Sequence, residues 1–190
     1  MTTYDHRMTK IYLIRHGQSV ANLTGKFQGQ RYDTDLTNQG RLSAQKIAAT
    51  FLTENISAIF SSPLKRAIQT AEIISGTLNI PVSKDDRLKE TDHGDWSSLN
   101  DAEINARWPE EYALWKIHPS QTQFPNGENF AGQTAPRVIS WWTDLDKAKN
   151  TVVVTHENVI QIIATYLAGQ DLDHIWSHRL DNCSVIEYSL

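Results

Sequence analysis

A chain of 190 residues, 39% hydrophobic and 21% charged, is long enough for a substantial core and too balanced for a disordered or fibrous protein. Its net charge of −4 argues against a general binder of nucleic acid or anionic membrane. The single cysteine, Cys183, forbids an intrachain disulfide. The opening MTTYDHRMTK lacks a signal-peptide core and VIQIIATYLAG is too short and polar to span a bilayer, so a cytoplasmic location is expected.

KIYLI (Lys10–Ile14) reads as a buried strand. GRLSAQKIAATFL follows as a helix, with Leu42, Ala44, Ile47, Ala48, Phe51 and Leu52 on its expected inner face. SAIF (Ser57–Phe60) is a second strand. Ser62 is placed as the N-cap of the next helix, with Pro63 at its first position, and Leu64, Ala67, Ile68, Ala71, Ile74 and Leu78 inward. IPVS (Ile80–Ser83) is a weak strand. A Trp-rich helical insert is expected between Leu99 and Trp115, and residues 116–133 read as loop. The next helix starts near Thr134 because of Pro136, and it carries Val138, Ile139, Trp142 and Leu145. TVVVT (Thr151–Thr155) is the clearest strand. Asn158–Ala168 is helical, with Ile160, Ile163, Ala164 and Leu167 inward and Gly169 as its cap. SVIEY (Ser184–Tyr188) is the last strand. Alternating strands and helices over residues 1–190 predict one α/β domain on a mostly parallel sheet, with an insert or lid at about 97–130.

Such sheets bind ligands beyond the carboxyl ends of their strands. Arg15 and His16 follow the first strand, Arg66 lies in the first turn after the second, Glu90 follows the third and His156 follows TVVVT. If these strands are parallel, the groups gather at one edge. Two arginines and two histidines around one point make sense around an anion. Phosphoryl fits best, with carboxylate or sulfate as the weaker alternative. Nearby guanidinium groups disfavour imidazolium, which leaves a neutral ring able to attack phosphorus. Glu90 is the candidate acid for the leaving group and base for water. The seven histidines show no HExxH spacing, and CxxC, an aspartate-rich loop, GxxxxGK[ST] and GxSxG are all missing, so neither a metal nor another cofactor is expected.

Six ordered stretches carry a family likeness: LIRHGQSVAN, FQGQRYDTDLTNQG, SSPLKRAIQTA, RLKETDHGDWSSL, FPNGENF and VVVTHENVI. Together they resemble the histidine phosphatase superfamily in its phosphoglycerate-mutase-like branch. The resemblance implies a three-layer α/β/α sandwich on a mixed sheet. It implies that His16 is the phosphorylated nucleophile, that Arg15, Arg66 and His156 clamp the phosphoryl group, and that Glu90 is the proton donor. Asn22, Gln28 and the Gly29 backbone would line the pocket. The stretch around His93 is similar to metal-independent phosphoserine phosphatases, in which a histidine here helps to hold the substrate carboxylate.

One departure is Glu157-Asn158 where the family has glycines. The expected placement of Glu157 is outward, at a helix N-terminus. Trp108 and Trp115 are the expected lid members, Cys183 an inert packed thiol, and His6, His118, His174 and His178 surface residues. The expectation is a metal-independent phosphomonoesterase acting on a small phosphate monoester, phosphoserine among the candidates, with a homodimer plausible. A mutase, or a phosphate-binding module without catalysis, are the alternatives.

Overall fold

The computed structural model describes residues 8–177 and 179–190, so His6 and His178 lie outside the described residues. Five strands form one sheet: β1 (Lys10–Arg15), β2 (Ala58–Ser61), β3 (Val82–Lys84), β4 (Thr151–Thr155) and β5 (Val185–Ser189). Their order is β3-β2-β4-β1-β5. β1 to β4 are parallel, and β5 runs antiparallel along β1 with Ile11 opposite Tyr188. The carboxyl ends of four strands therefore share one edge.

Alternation along the strands divides the core between two faces. Tyr12, Ile14, Ile59, Val152 and Val154 point to one side and pack on α2 (Asn38–Thr50) and α3 (Lys65–Leu78), α1 (Val20–Leu23) being a single turn before them. Ile11, Leu13 and Val153 point to the other side. There they meet α4 (Asp101–Arg107), α5 (Pro109–Ile117), α6 (Ala135–Asp144) and α7 (Glu157–Leu167). This is the expected α/β/α sandwich. Among the described residues no helix is long and apolar enough to cross a membrane.

Several expectations need correction. Leu42 and Leu52 are exposed, because α2 packs through Gly40, Ala44 and Ala48 instead. A Cβ on Gly17 would lie 2.8 Å from the Gly40 carbonyl, and one on Gly40 would lie 2.1 Å from that of Gln18. The helix thus rests directly on the chain leaving β1, and this contact sets its rotation. Helix α3 begins two residues later than Ser62-Pro63 suggests. Its Lys65 N–H is capped by Asp33 Oδ2 at 2.7 Å, from a segment 32 residues earlier. Pairing in β3 starts at Val82, since Pro81 has no N–H to offer. On α7, Ile160 and Ile163 are buried, but Leu167 is exposed at its last turn. Gly169 follows the cap Ala168 at φ 63°.

The stretch 116–133 is more ordered than a loop. It holds a 3₁₀ turn at Pro119–Gln121 and leads into a π turn at Phe130–Thr134. Phe124 and Phe130 are fully buried against Trp115, their rings 5.0 Å from it. Trp115 is therefore core, and Trp108 is half-buried against the same cluster. His118 and His174 are exposed as expected. Cys183 is half-buried, and burial pushes its thiol up to about 11.

Candidate active site

The end of β1 shows why an Arg-His-Gly follows an apolar strand. Arg15 is the last paired residue, opposite Thr155, and the His16 N–H continues the ladder to the Thr155 carbonyl at 2.9 Å. Gly17 then turns beneath α2, its N–H donating to Thr70 Oγ1 at 3.0 Å. The His16 side chain is thereby held on rigid backbone at the sheet edge and is only 3% exposed.

Its tautomer follows from its partners. Arg66 Nε, which can only donate, lies 3.2 Å from His16 Nε2. Nε2 therefore carries the lone pair, and Nδ1–H donates to the Gly17 carbonyl at 2.8 Å. Burial first, then Arg66 and Arg15, holds the ring well below the usual histidine range, so it is neutral. Burial is a larger cause than the arginines expected from sequence.

Arg66 is 1% exposed in the first turn of α3. It pairs with Asp33 at 3.1 Å and donates to the Gly29 carbonyl at 2.9 Å. His156 lies 5.2 Å from His16, ring centre to ring centre, fully buried and neutral for the same main cause, burial. Its Nε2 is 2.8 Å from Ser62 Oγ, whereas Nδ1 is buried with no hydrogen-bond partner among the described residues. Ser62 Oγ already accepts from the Leu64 N–H at 3.3 Å. That hydroxyl keeps both a hydrogen and a second lone pair for Nε2, so the bond is compatible with either tautomer of His156.

Glu90 is buried, and its carboxyl accepts from the Thr91 N–H at 2.8 Å. Burial raises its pKa above the ordinary carboxylate value, against the pull of that N–H and of Arg66. Asn22 spends its Oδ1 on Ser19 N (3.0 Å), Ser19 Oγ (2.9 Å) and Asn182 Nδ2 (3.2 Å). Gln28 Oε1 receives Ser19 Oγ at 3.0 Å and Thr34 Oγ1 at 3.2 Å. Both amides turn their nitrogens elsewhere, and both residues border the cleft.

That cleft, about 210 Å³, is lined by eight of the nine residues expected from sequence: Arg15, His16, Asn22, Gln28, Gly29, Arg66, Glu90 and His93. His156 sits behind the lining. His93 is 6% exposed among Phe27, Trp115 and Phe124. Asn158 Nδ2 approaches its Nε2 at 3.4 Å and also donates to Thr91 Oγ1 at 3.2 Å. Burial, then Arg66, lowers the His93 pKa to about 4.

Glu157 does not point outward. Its Oε2 lies 3.1 Å from Arg15 Nη1, and its Oε1 accepts from the Leu180 N–H at 3.3 Å. Arg15 also donates to the Leu180 carbonyl, and its Nε is buried without a partner among the described residues. The pull of a nearby guanidinium outweighs the helix-end preference assumed from sequence. Sequence reading also missed Asp33, Lys26, Lys116, Trp176 and Arg179, the last four on the cleft wall or mouth. Asp33 had one available signal: it is an acid inside the quoted stretch between Gln28 and Thr37. Lys116, Trp176 and Arg179 had a signal too, in WPEEYALWKIHP and IWSHRLDNCSV, stretches that share the phosphoserine-phosphatase likeness of the His93 segment; Lys26 had none.

An α/β sandwich with guanidinium groups, neutral imidazoles and a buried carboxyl at its carboxyl edge is built as an enzyme of phosphate esters. The chain matches the histidine phosphatase superfamily (branch 1) over residues 11–190, and it belongs to that family. It is 35% identical over 180 residues to phosphoserine phosphatase 1 of Hydrogenobacter thermophilus, covering 93% of this chain and 84% of that one. It is 29% identical over 175 residues to the adenosylcobalamin/alpha-ribazole phosphatase of Escherichia coli, covering 90% and 85%. Among solved structures, Bacillus stearothermophilus YhfR superposes with a TM-score of 0.86 at 30% identity, covering 94% and 90%. Phosphoserine phosphatase of Entamoeba histolytica in complex with 3-phosphoglyceric acid superposes at 0.79 with 28% identity, covering 95% and 90%. The protein is a phosphoric monoester hydrolase.

Proposed function

We propose that this enzyme hydrolyses a small phosphorylated metabolite, phosphoserine being the first candidate, by a two-step transfer through phospho-His16 that needs no metal. The observation that carries the reading is the fixed tautomer of His16: a neutral ring whose Nε2 lone pair faces a guanidinium. On binding, phosphoryl oxygens take the donors of Arg66, Arg15 Nε, His156 Nδ1 and the amide nitrogens of Asn22 and Gln28. The Gly29 N–H joins them. Nε2 then bonds phosphorus as the P–O bond to the alcohol breaks, and Glu90 gives its proton to the departing oxygen. Water next attacks phosphorus, Nε2 leaves, and Glu90 takes the proton. The donors are preset around the charge that develops, so little reorganisation is needed.

Support for phosphoserine is of two kinds. Relatives named as phosphoserine phosphatases match over most of their length. His93, with Lys26, Lys116 and Arg179 at the mouth, offers donors for a carboxylate beyond the phosphoryl cup. Glu157 and Asn158, the only ground for a module without catalysis, are bonded into the site.

A panel of phosphomonoesters assayed with chelator present tests the reading, together with alkaline quenching during turnover to trap an alkali-stable, acid-labile phosphoprotein. Metal-dependent turnover, or a phosphoprotein that survives His16→Ala, sinks the mechanism. A kcat/KM for phosphoserine that drops no more than that for p-nitrophenyl phosphate in His93→Ala removes the carboxylate role. Transfer to a second hydroxyl exceeding phosphate release makes the enzyme a mutase.

A further inference from the structure

Arg137, on α6, lies outside the cleft lining, yet all five of its N–H groups are engaged beside it. Nε donates to Glu128 Oε1 at 2.9 Å, and Nη2 donates to Glu128 Oε2 at 3.0 Å. Nη1 donates to the carbonyls of Arg87 at 2.9 Å and Lys89 at 2.6 Å. Nη2 also donates to the Glu90 carbonyl at 3.0 Å. Glu128 in turn accepts from the Asp92 N–H and from Thr134 Oγ1, both at 2.9 Å. Arg137 and Glu128 thus hold four backbone groups between residues 87 and 92, with Glu90 in the middle. The π turn at Phe130–Thr134, between the two, brings Thr134 back onto Glu128. Such turns recur beside functional sites.

The Glu90 side chain has little of its own to aim it. Among the described residues its one hydrogen bond comes from the neighbouring Thr91 N–H. Its direction is therefore inherited from the backbone that Arg137, Glu128 and Gln30 (Nε2 to the Glu90 carbonyl, 2.9 Å) fix in place. Proton transfer requires hydrogen-bond distance to the leaving oxygen, and a small misplacement is costly. We propose that Arg137 and Glu128 are positioning residues for Glu90, fixing its aim at the leaving group. The inference rests on the reading of Glu90 as proton donor. A scaffold role would slow all substrates alike. An aiming role slows those whose leaving oxygen needs a proton, and spares those that depart as a stabilised anion.

The test compares kcat/KM for phosphoserine, an alkyl ester, with that for p-nitrophenyl phosphate in the wild type, Glu90→Gln, Arg137→Lys and Glu128→Gln. This ratio reports steps up to departure of the alcohol or phenol. Glu90→Gln is expected to lower the alkyl-to-aryl ratio by about 10²-fold. Arg137→Lys, which keeps a cation but loses the fork, and Glu128→Gln are each expected to lower it about tenfold. If Arg137→Lys does not fold, Glu128→Gln decides, since it keeps the shape and an acceptor for Asp92. A lowered ratio in Glu90→Gln beside an unchanged ratio in the folded pair variants overturns the inference and leaves Glu90 as donor. An unchanged ratio in Glu90→Gln overturns the donor reading, and the inference with it.

Discussion

At the amino end of β1, Lys10 lies 3.2 Å from Glu54 and 3.4 Å from Glu187, and the Tyr12 hydroxyl donates to Glu54 at 2.6 Å. These charges answer one another at the surface. At the carboxyl end of the same strand, Arg15 Nε and His156 Nδ1 are buried with no partner among the described residues, and the lone pair of His16 meets only a guanidinium. Most buried polar atoms in a folded protein are satisfied, so a concentration of unsatisfied ones marks a place completed by something else. The first end pairs its charges within the chain; the second holds buried polar atoms that the described residues leave unpaired.

The comparison is tested most severely at His16. His16→Ala is expected to lower kcat for any phosphomonoester by about 10⁴-fold or more, measured as phosphate release. Arg66→Ala should follow at about 10²- to 10³-fold in kcat/KM. It also strands Asp33 and the Gly29 carbonyl, so denaturant unfolding should show a loss of about 3 kcal/mol. A pH profile of kcat/KM, corrected for substrate ionisation, has a smaller range but a definite sign. His16 is held neutral well below its usual value, so activity should persist as pH falls past the ordinary histidine range. Glu90 must be protonated in the first step and its pKa is raised, so activity should survive above the ordinary carboxylate value and fall as pH rises through the Glu90 pKa. An alkaline limb that stays put in Glu90→Gln would assign that limb to another group. The smallest effect belongs to the other end: Glu54→Gln should leave kcat/KM unchanged and barely move Tm, because the pair it breaks is wet.

Legibility in the sequence followed the strands. Arg15, His16, Arg66, Glu90 and His156 came together because each lies at, or just beyond, the carboxyl end of a parallel strand, and parallel order is readable from alternating elements. The helix faces were less legible. Leu42 and Leu52 satisfy the periodicity, but close approach through Gly40, Ala44 and Ala48 set the rotation of α2, and no count of apolar residues reports it. Asp33 and Arg137 were missed because each acts on a segment far along the chain. Glu157 was assigned from a local rule, its place at a helix start, and Arg15, 142 positions earlier, overruled it. Pairwise electrostatics across the fold is the part a linear reading supplies least.

The order of the strands has a consequence for synthesis. β1 carries Arg15 and precedes His16, yet its two neighbours in the sheet are the last two strands, so Ile11 pairs with Thr151 and Tyr188. A chain emerging from the ribosome presents KIYLI without a bonding neighbour until β4, 140 positions later, has been made. Contacts of such sequence separation form slowly, and an apolar strand waiting unpaired is exposed to wrong associations meanwhile. The centre of the site is thus translated well before the strands that enclose it.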